Sequence, residues 1–311
     1  MVSLKFAAVI CLVYFTIFVN AGRKPTCKTV LENMESLCQY AQSDNCDGTD
    51  VCTAMRTLAM KFEEKLENLY SLVENISMSL QSPPGSSCKE LYDNGWRLNK
   101  AYMLSTDIGK IPVYCHMTSD VGECGGGGWT LVMKIDGNKR TFHYDADFWE
   151  NNKEFNLPGG ETGLDSQETK LPTYWETSFS KICLGMKYGQ QIRYIVVNKQ
   201  ADSLYSLIAD GQHRATSLSR EKWKSLLGSK GSLQPHCNTQ GFNAVGSNSG
   251  WAKARIGIVA NQENDCNTCD SRIGFGTGGR HDDSNTCGNQ ATHGPDNGDK
   301  RIKAFGYILV Q

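Results

Sequence analysis

The chain has 311 residues, of which 32 are basic, 33 acidic and 13 cysteine. This length accommodates one large domain and a smaller module. The net charge of -1 argues against a nucleic-acid binder, which needs a basic surface to neutralise phosphates. The cysteine content is too high for an ordinary cytosolic enzyme and indicates an oxidising compartment.

The first element in chain order is a targeting segment. Lys5 precedes an almost wholly apolar run over residues 6–19, which is shorter than the roughly 20 residues that a membrane-spanning helix needs. Val19-Asn20-Ala21 then supplies small residues at the spacing that a signal peptidase recognises. We predict a signal peptide over residues 1–21, a secreted, extracellular protein and no membrane span.

The remaining cysteines fall into two groups. Cleavage after Ala21 removes Cys11 and leaves an even number, which in an oxidising compartment predicts that all of them are paired in disulfides. Four lie before residue 53 and eight after residue 87. We therefore predict two separately cross-linked modules, the first a Cys-rich helical segment over residues 22–52.

The segment between the two groups has a heptad pattern. Apolar residues recur at alternating spacings of three and four from Cys52 to Leu80, which predicts a coiled-coil helix over residues 53–82. Residues 52–80 would then associate with other copies as a homo-oligomer, the interpretation we favour, or pack within one chain as a helical hairpin. The sequon Asn75-Ile76-Ser77 places Asn75 on the solvent side of this helix, where we predict N-glycosylation.

Residues 86–311 have a different, glycine-rich pattern with short apolar stretches. Five stretches are typical of strands: residues 111–115, 129–133, 192–197, 254–259 and 305–310. The clearest helix is predicted from Ser219 to Leu227, with Ser219 as its N-cap and Trp223 on its apolar face. Strands joined by long loops and a few short helices predict an α+β fold.

No pattern in the sequence indicates an enzyme. The G-x-G-x-x-G match at residues 274–279 lacks the βαβ unit that a dinucleotide site requires. Cys266-x-x-Cys269 is more typical of a structural disulfide outside the cell than of a redox pair. A zinc site built from Cys266, Cys269, His281 and Cys287 is not expected where thiols are oxidised. The six histidines are scattered singly and are typical of surface or loop positions.

One region resembles a binding site in composition. Residues 261–299 are nearly all polar or glycine and include seven carboxylates. Calcium takes 6–8 oxygen ligands and tolerates irregular loops, so this region would suit a calcium ion that holds a mineral surface or a pair of sugar hydroxyls. The alternative is a set of ordinary solvated loop carboxylates.

Several motifs resemble a fibrinogen-related domain. Ser87-Cys88-Lys89-Glu90-Leu91 and residues 111–117 and 125–132 are similar to its opening, and residues 266–269, 273–276, 287–288 and 303–310 are similar to its end. The similarity is to the intelectin-like branch and to secreted cnidarian relatives, including uncharacterised proteins of the coral skeletal organic matrix. It implies a fibrinogen C-terminal-like domain over residues 86–311, with a twisted, mainly antiparallel sheet, few short helices and long loops, behind a coiled-coil stalk.

The resemblance also implies disulfide pairs. The family pairs the cysteines at the positions of Cys88 and Cys115, and a looser similarity to intelectins pairs Cys237 with Cys266. The partners of the other cysteines stay open: Cys27, Cys38, Cys46, Cys52, Cys124, Cys183, Cys269 and Cys287.

In intelectins the comparable stretch builds a calcium-dependent glycan site. Asn267 matches the asparagine of that site, Asp282 or Asp283 lies where its acidic ligand would be, and Asn289 lies where an aspartate follows the Cys-Gly pair. Three features of the family are missing. The histidine-bearing insert is absent between Cys266 and Cys269, no Trp or Tyr lies between residues 287 and 302 to wall a sugar, and the fibrinogen-type Asp-x-Asp calcium loop is absent.

Two functions follow from this sequence. The first is a non-enzymatic extracellular interaction protein, a component of an extracellular matrix for which a skeletal organic matrix, and with it biomineralisation, is one setting. The absence of a long acidic run argues against a mineral-templating role. The alternative is a calcium-dependent lectin that recognises glycans in innate immunity. The missing aromatic walls favour the first, and an oligomeric stalk would add avidity to either.

Overall fold

The computed structural model divides the chain into two units, Met1–Gln81 and Ser82–Gln311. It describes residues 85–311 and the isolated residues 64, 65 and 68. The predicted signal peptide, Cys-rich segment, coiled coil, oligomer contact and glycosylation of Asn75 therefore concern residues outside the described part, apart from those three positions. No helix among the described residues is long and apolar enough to cross a membrane.

Seven strands form a first, antiparallel sheet. In sheet order these are β1, β2, β3, β12, β5 and β6, with β4 paired to the free part of β3. Their bounds are β1 Lys100–Thr106, β2 Gly109–His116, β3 Trp129–Asp136, β4 Thr169–Lys170, β5 Phe179–Tyr188, β6 Gln191–Ala201 and β12 Phe305–Val310.

Five strands form a second antiparallel sheet, in the order β11, β10, β9, β8, β7. Their bounds are β7 His236–Val245, β8 Lys253–Asn261, β9 Ser271–Gly278, β10 Cys287–Ala291 and β11 Lys300–Lys303. The five stretches predicted as strands all fall within strands of the two sheets, and the G-x-G-x-x-G match falls on β9 and the residue after it, in an antiparallel sheet rather than a βαβ unit.

The helices of the described residues are short. They are α1 Cys88–Asp93, α2 Thr173–Glu176, α3 Leu204–Ile208 and α4 Arg220–Ser225, with 3₁₀ turns at Gly122–Cys124, Asp147–Trp149, Leu157–Gly160 and Gly228–Lys230. The predicted N-cap of α4 is confirmed, because the hydroxyl of Ser219 accepts a hydrogen bond from the Lys222 N–H at 3.2 Å. The helix ends two residues before the predicted Leu227. The α+β prediction is confirmed.

The first sheet is buried on both faces. Neighbouring residues of β3 and β12 point to opposite faces, and they belong to different apolar clusters: Val132 and Ile308 lie in one, Leu131 and Leu309 in the other. Trp223 of α4 is fully buried in the first of these clusters. Burial on both faces explains why these strands are continuous apolar runs in the sequence.

Three disulfides cross-link the described residues. Cys88 pairs with Cys115 and Cys237 with Cys266, the two pairs that the resemblance implied, and Cys124 pairs with Cys183. The prediction that every cysteine is paired is wrong for Cys269 and Cys287, which are free and fully buried. They cannot pair with each other where they lie, because Cys269 belongs to a small cluster with Ala252 and Val259, whereas Cys287 belongs to the main core.

Candidate functional site

Asn289, one of the four predicted ligands of a calcium or glycan site, is not open to a ligand. It lies on β10 and is fully buried. Its Oδ1 accepts a hydrogen bond from the Ser232 N–H at 2.9 Å, and its Nδ2 donates to the carbonyls of Ser232 and Arg272, each at 2.9 Å. Because its side-chain amide is fully engaged, Asn289 ties the 232 loop to the sheet.

Asp283 is held by hydrogen bonds from other parts of the protein. Its Oδ1 lies 2.8 Å from Nε2 of His143 and accepts from the Gly279 N–H at 2.7 Å, and its Oδ2 lies 3.1 Å from Nη1 of Arg140. Burial by itself would raise the pKa of Asp283, but the hydrogen bonds from Gly279, His143 and Arg140 lower it to about 2. Asp283 is therefore an ionised carboxylate that anchors its loop to residues 140–143.

Asp282 and Asn267 have local partners. The Oδ1 of Asp282 accepts hydrogen bonds from the N–H and the hydroxyl of Ser284 at 3.0 and 2.6 Å. Asn267 is exposed, and its N–H donates to Oδ1 of Asp265 at 2.8 Å. Within residues 85–311 no side-chain hydrogen bond joins any two of the four predicted ligands. Their proposed joint role in calcium binding remains a prediction.

A different set of residues does converge, because the β8–β9 pair is strongly curved. Ala260 pairs with Ser271 and Lys253 with Gly278, so in a flat ladder the residues just before β8 and just before β9 would lie roughly 25 Å apart. Instead, the Ala252 N–H donates to the Cys269 carbonyl at 3.0 Å. Glycine is required in the curve, since a Cβ on Gly257 would lie 2.9 Å from the Cβ of Ala254.

This curvature brings His281 to Asp270, and the pairing of Ala291 with Ser271 places His293 beside them. We call Asp270, His281 and His293 the histidine–aspartate cluster. Asp270 immediately precedes β9, His281 follows it and His293 follows β10. The Oδ1 of Asp270 lies 2.8 Å from Nε2 of His281, and its Oδ2 lies 3.6 Å from Nδ1 of His293. The Asp270 side chain is 4% exposed, against 30% for His281 and 56% for His293, so a buried carboxylate lies beneath two accessible imidazoles.

The buried Gln234 supports the cluster from below. Its Nε2 donates to the carbonyls of Thr292 and His293 at 3.0 and 3.1 Å, and its Oε1 accepts from the Asp270 N–H at 3.3 Å. Gln234 itself is fully buried. A single side chain therefore fixes the spacing between the segment that bears Asp270 and the segment that bears His293.

Arg272 holds the loop that bears His281. Its guanidinium donates to the carbonyls of Gly279, Arg280 and Asp282 at 3.4, 2.8 and 2.5 Å. Arg272 is fully buried, and burial lowers its pKa to about 10. Three bonds from one planar donor fold residues 279–282 back over β9, which is where His281 meets Asp270.

Trp251 forms one wall of the site. Its ring centroid lies 5.6 Å from that of His281 in an edge-on arrangement, and the guanidinium carbon of Arg280 lies 5.0 Å from the Trp251 centroid. Gly279 makes this approach possible, because a Cβ there would lie 1.9 Å from the Trp251 carbonyl oxygen. Residues 287–302 supply no Trp or Tyr, but Trp251, from the loop before β8, provides one aromatic wall in their place.

The site therefore places a half-buried indole ring, two imidazoles and a guanidinium around a buried carboxylate. An indole ring can stack on an apolar face of a ligand, a guanidinium can donate hydrogen bonds to its oxygen atoms, and a carboxylate or imidazole can accept hydrogen bonds from its hydroxyl groups. The sequence pointed to Asp270 only as one of seven loop carboxylates, and Trp251, His281 and His293 were not predicted as partners. A second feature, a groove of about 470 Å³ beside α4, is lined by residues that include Lys224, Asp296 and Asn297.

No protein-family model matches the chain. Techylectin-5A from Tachypleus tridentatus is 22% identical to it over 191 residues, which are 58% of this chain and 59% of that protein. The fibrinogen beta chain of Petromyzon marinus is 25% identical over 201 residues, 61% of this chain and 35% of that protein. The chain thus spans less than two thirds of the length of both relatives.

Two solved structures are also similar to parts of the chain. The fibrinogen-like globe domain of human ANGPTL6 is 20% identical with a TM-score of 0.26, covering 38% of this chain and 49% of that one. Lamprey fibrin D-dimer, complexed with the peptide ligand Gly-His-Arg-Pro-amide, is 16% identical with a TM-score of 0.26, covering 55% of each chain. The sequence relatives support the fibrinogen-like domain that the motifs indicated. The resemblance to cnidarian and coral proteins stays a prediction.

Proposed function

We propose that this chain is a non-enzymatic extracellular interaction protein whose fibrinogen-like domain binds a polar ligand, in the first place a glycan, at the surface around Trp251. The observation that carries the proposal is the placement of the Trp251 ring beside the accessible His281 and His293, over the buried Asp270. Sugars present apolar C–H faces and hydroxyl edges, and an aromatic face beside polar groups is complementary to both.

The buried residues beneath this surface support the proposal that it is a preformed binding site. Gln234 and Arg272 are fully buried, and both donate hydrogen bonds to backbone carbonyls. Those carbonyls belong to the segments that bear His293 and His281. Ligand sites are typically formed before the ligand arrives and held by such contacts. The name of the relative Techylectin-5A is that of a lectin, which favours a glycan over other polar ligands.

Secretion is supported by the three disulfides, because disulfides persist outside the cell and are rare in the cytosol. Association through residues 52–80 would link several such domains and raise the avidity of weak single sites. The finer assignments remain proposals: calcium at Asn267, Asp282 and Asp283, a role in innate immunity, and residence in an extracellular or skeletal matrix. Asn289 is left out of the calcium set because its amide is fully used inside the fold.

The proposal is tested by a glycan array probed with the full-length secreted protein. We expect binding to a defined group of sugars that Trp251→Ala reduces about two- to twelvefold, since stacking on an aromatic ring is worth about 0.5–1.5 kcal/mol. Trp96→Ala is the matched control, because Trp96 is also half-buried but packs on Tyr102, away from the site. An equal loss of glycan binding in the two variants, or no binding of the parent protein to any glycan on the array, would overturn the proposal.

The array also tests the calcium assignment. Binding is compared in a calcium-selective chelator with and without added Ca²⁺. Restoration by Ca²⁺ that is lost in Asp282→Asn would support a calcium-dependent lectin. A flat array combined with retention of the protein on a mineral or matrix preparation would favour the matrix role instead.

A further inference from the structure

The geometry points to a property of the histidine–aspartate cluster that does not depend on which ligand the surface recognises. We propose that Asp270, His281 and His293 bind one transition-metal ion of the Zn²⁺ class, with coordination positions left open to solvent. The three donor atoms are a carboxylate oxygen and two imidazole nitrogens, and they lie within 4.8 Å of one another.

The spacing of the donors suits such an ion. Zn²⁺ binds imidazole nitrogen and carboxylate oxygen at about 2.0–2.2 Å, so neighbouring donors on one ion lie about 3–3.5 Å apart. The imidazole of His281 lies 2.8 Å from Oδ1 of Asp270 and that of His293 lies 3.6 Å from Oδ2, so each oxygen of the carboxylate has an imidazole nitrogen near this spacing. An ion between the imidazoles requires rotation of the two more exposed rings, while the buried carboxylate stays in place.

The cluster also has the supporting hydrogen bonds that metal sites depend on. Metal ligands are usually oriented by partners in a second layer, and loss of such a partner costs about 10–100-fold in affinity. Here Gln234 bonds the Asp270 N–H and the His293 carbonyl, and Arg272 bonds the Arg280 carbonyl next to His281. Each of the three donors is therefore carried by a backbone segment that a fully buried side chain holds in position.

The donor set selects the metal. Imidazole nitrogens suit Zn²⁺, Cu²⁺ and Ni²⁺, whereas Ca²⁺ takes 6–8 oxygen ligands. The sequence argument against zinc concerned cysteine thiolates, and this cluster contains none. Three protein ligands leave at least one position free, and the exposure of His281 and His293 places that position at the surface beside Trp251.

The opposing explanation is that Asp270 only forms a hydrogen-bonded pair with His281 inside the protein. The two explanations differ in what happens when metal is added. A pair of this kind gains nothing from Zn²⁺, whereas a metal site gains stability by mass action as the ion binds the folded state.

The test uses full-length protein produced without a polyhistidine tag, freed of metal by a chelator and titrated calorimetrically with Zn²⁺ alone and with Ca²⁺ alone. We expect a Zn²⁺ site that weakens at least tenfold in His281→Gln and in His293→Gln. It should be unchanged in His236→Gln, where an exposed histidine lies outside the cluster. Ca²⁺ titrations should not differ among these proteins. The same Zn²⁺ affinity in the parent and in both cluster variants would overturn the proposal.

A second measurement has a readout on the parent protein, which does not depend on whether the variants fold. Cu²⁺ bound to the parent protein should show electron paramagnetic resonance coupling to two imidazole nitrogens, and each cluster variant should show coupling to one at most. A parent spectrum without two coupled imidazole nitrogens, or two-nitrogen coupling that persists in both variants, would also overturn the proposal. Neither experiment contains a glycan, so a negative result here leaves the glycan-binding proposal standing, and a flat glycan array leaves the metal site standing.

Discussion

The carboxamide of Gln234 contacts Asp270 with both of its polar atoms. Its Oε1 accepts from the Asp270 N–H at 3.3 Å, and its Nε2 lies 3.5 Å from Oδ2 of the same residue. Since Gln234 is fully buried and Asp270 only 3% exposed, this contact is shielded from water. It places the one buried carboxylate of the histidine–aspartate cluster directly beneath the two imidazoles.

Replacing Gln234 tests this support. Gln234→Leu leaves the Asp270 N–H and the carbonyls of Thr292 and His293 without a partner, so we expect the free energy of unfolding to fall by about 1–3 kcal/mol. Urea unfolding measures the change. Gln212→Leu is the control, because the Gln212 side chain is exposed and surface changes usually stay within about 0.5 kcal/mol. A similar small change in both variants would show that Gln234 does not support the site.

Gly279 should be far less tolerant of a side chain than Gly294. Both have a positive φ, +83° and +75°, so alanine costs about 1–2 kcal/mol in backbone strain at either position. At Gly279 the new Cβ also meets the Trp251 carbonyl at 1.9 Å, whereas nothing lies within 4 Å at Gly294. We expect Gly279→Ala to cost about 1–3 kcal/mol more than Gly294→Ala and to weaken ligand binding. Equal costs in thermal or urea unfolding would contradict the observed approach of the two loops.

The buried Lys170 should make the free energy of unfolding depend on pH. Its side chain is fully buried, with Nζ 2.6 Å from the Asn151 carbonyl and 4.7 Å from the Tyr174 ring centroid. Burial lowers the pKa of Lys170 to about 7, with the Glu154 charge acting in the opposite direction. An unfolded lysine has a pKa of about 10.4, so between these values the unfolded chain binds a proton that the folded chain does not.

By linkage, this group makes the free energy of unfolding rise with pH through that window, by up to about 1.4 kcal/mol per pH unit. We therefore expect Lys170→Met to flatten the stability profile between pH 7.5 and 9.5 as measured by urea unfolding. Lys230→Met, which changes an exposed lysine, should keep the parent slope. If Lys170→Met keeps the parent's slope of unfolding free energy against pH, Lys170 is charged in the folded protein.

The free thiol of Cys269 predicts a specific disulfide exchange. Its Sγ lies 3.5 Å from Sγ of Cys237, which is bonded to Cys266. Burial, followed by the charges of Asp270 and Asp265, raises the pKa of Cys269 to about 11, so the attacking thiolate is scarce at neutral pH. When the Cys269 thiolate attacks Cys237, a Cys237–Cys269 bond forms and Cys266 leaves as the thiolate.

Peptide mapping under non-reducing conditions follows this exchange. At pH 7 we expect Cys237–Cys266 with free Cys269 and Cys287, and above pH 7 a rate of conversion to Cys237–Cys269 that rises about tenfold per pH unit until the thiol ionises. Cys269→Ser should abolish the new bond without affecting Cys124–Cys183. A Cys269–Cys287 disulfide in the native protein would contradict the fold, since the two lie in different clusters.

The parts of the fold that could be predicted from sequence are those with local signals. The strands β3 and β12 are buried on both faces and are therefore continuous apolar runs, and Ser219 precedes α4 at capping distance. The strand β9 was not predicted, because Gly274, Gly276 and Arg272 interrupt its apolar pattern. Gly274 leaves room for the Ile256 carbonyl and Gly276 for the Trp149 ring, while Arg272 holds the 279–282 loop. A strand pattern does not reveal any of these contacts.

The site could not be predicted from sequence, because the contacts that form it have no sequence pattern. Asp270 and His281 are 11 residues apart and meet only because the β8–β9 pair curves and Arg272 folds the loop back. The resemblance implied that Asn289 belongs to the calcium-dependent glycan site because it follows a Cys-Gly pair, whereas β10 is an interior strand of its sheet and Asn289 is fully buried. The even number of cysteines predicted full pairing, but Cys269 and Cys287 are packed as small apolar side chains.

The surface around Trp251 and the histidine–aspartate cluster is proposed as the place where this protein binds its ligand. Hydrogen–deuterium exchange, with and without a glycan selected from the array, maps the bound surface. We expect bound glycan to slow exchange in residues 248–252, 280–283 and 292–294 and to leave the groove beside α4 unchanged. Protection confined to that groove, around Lys224 and Asp296, would contradict it.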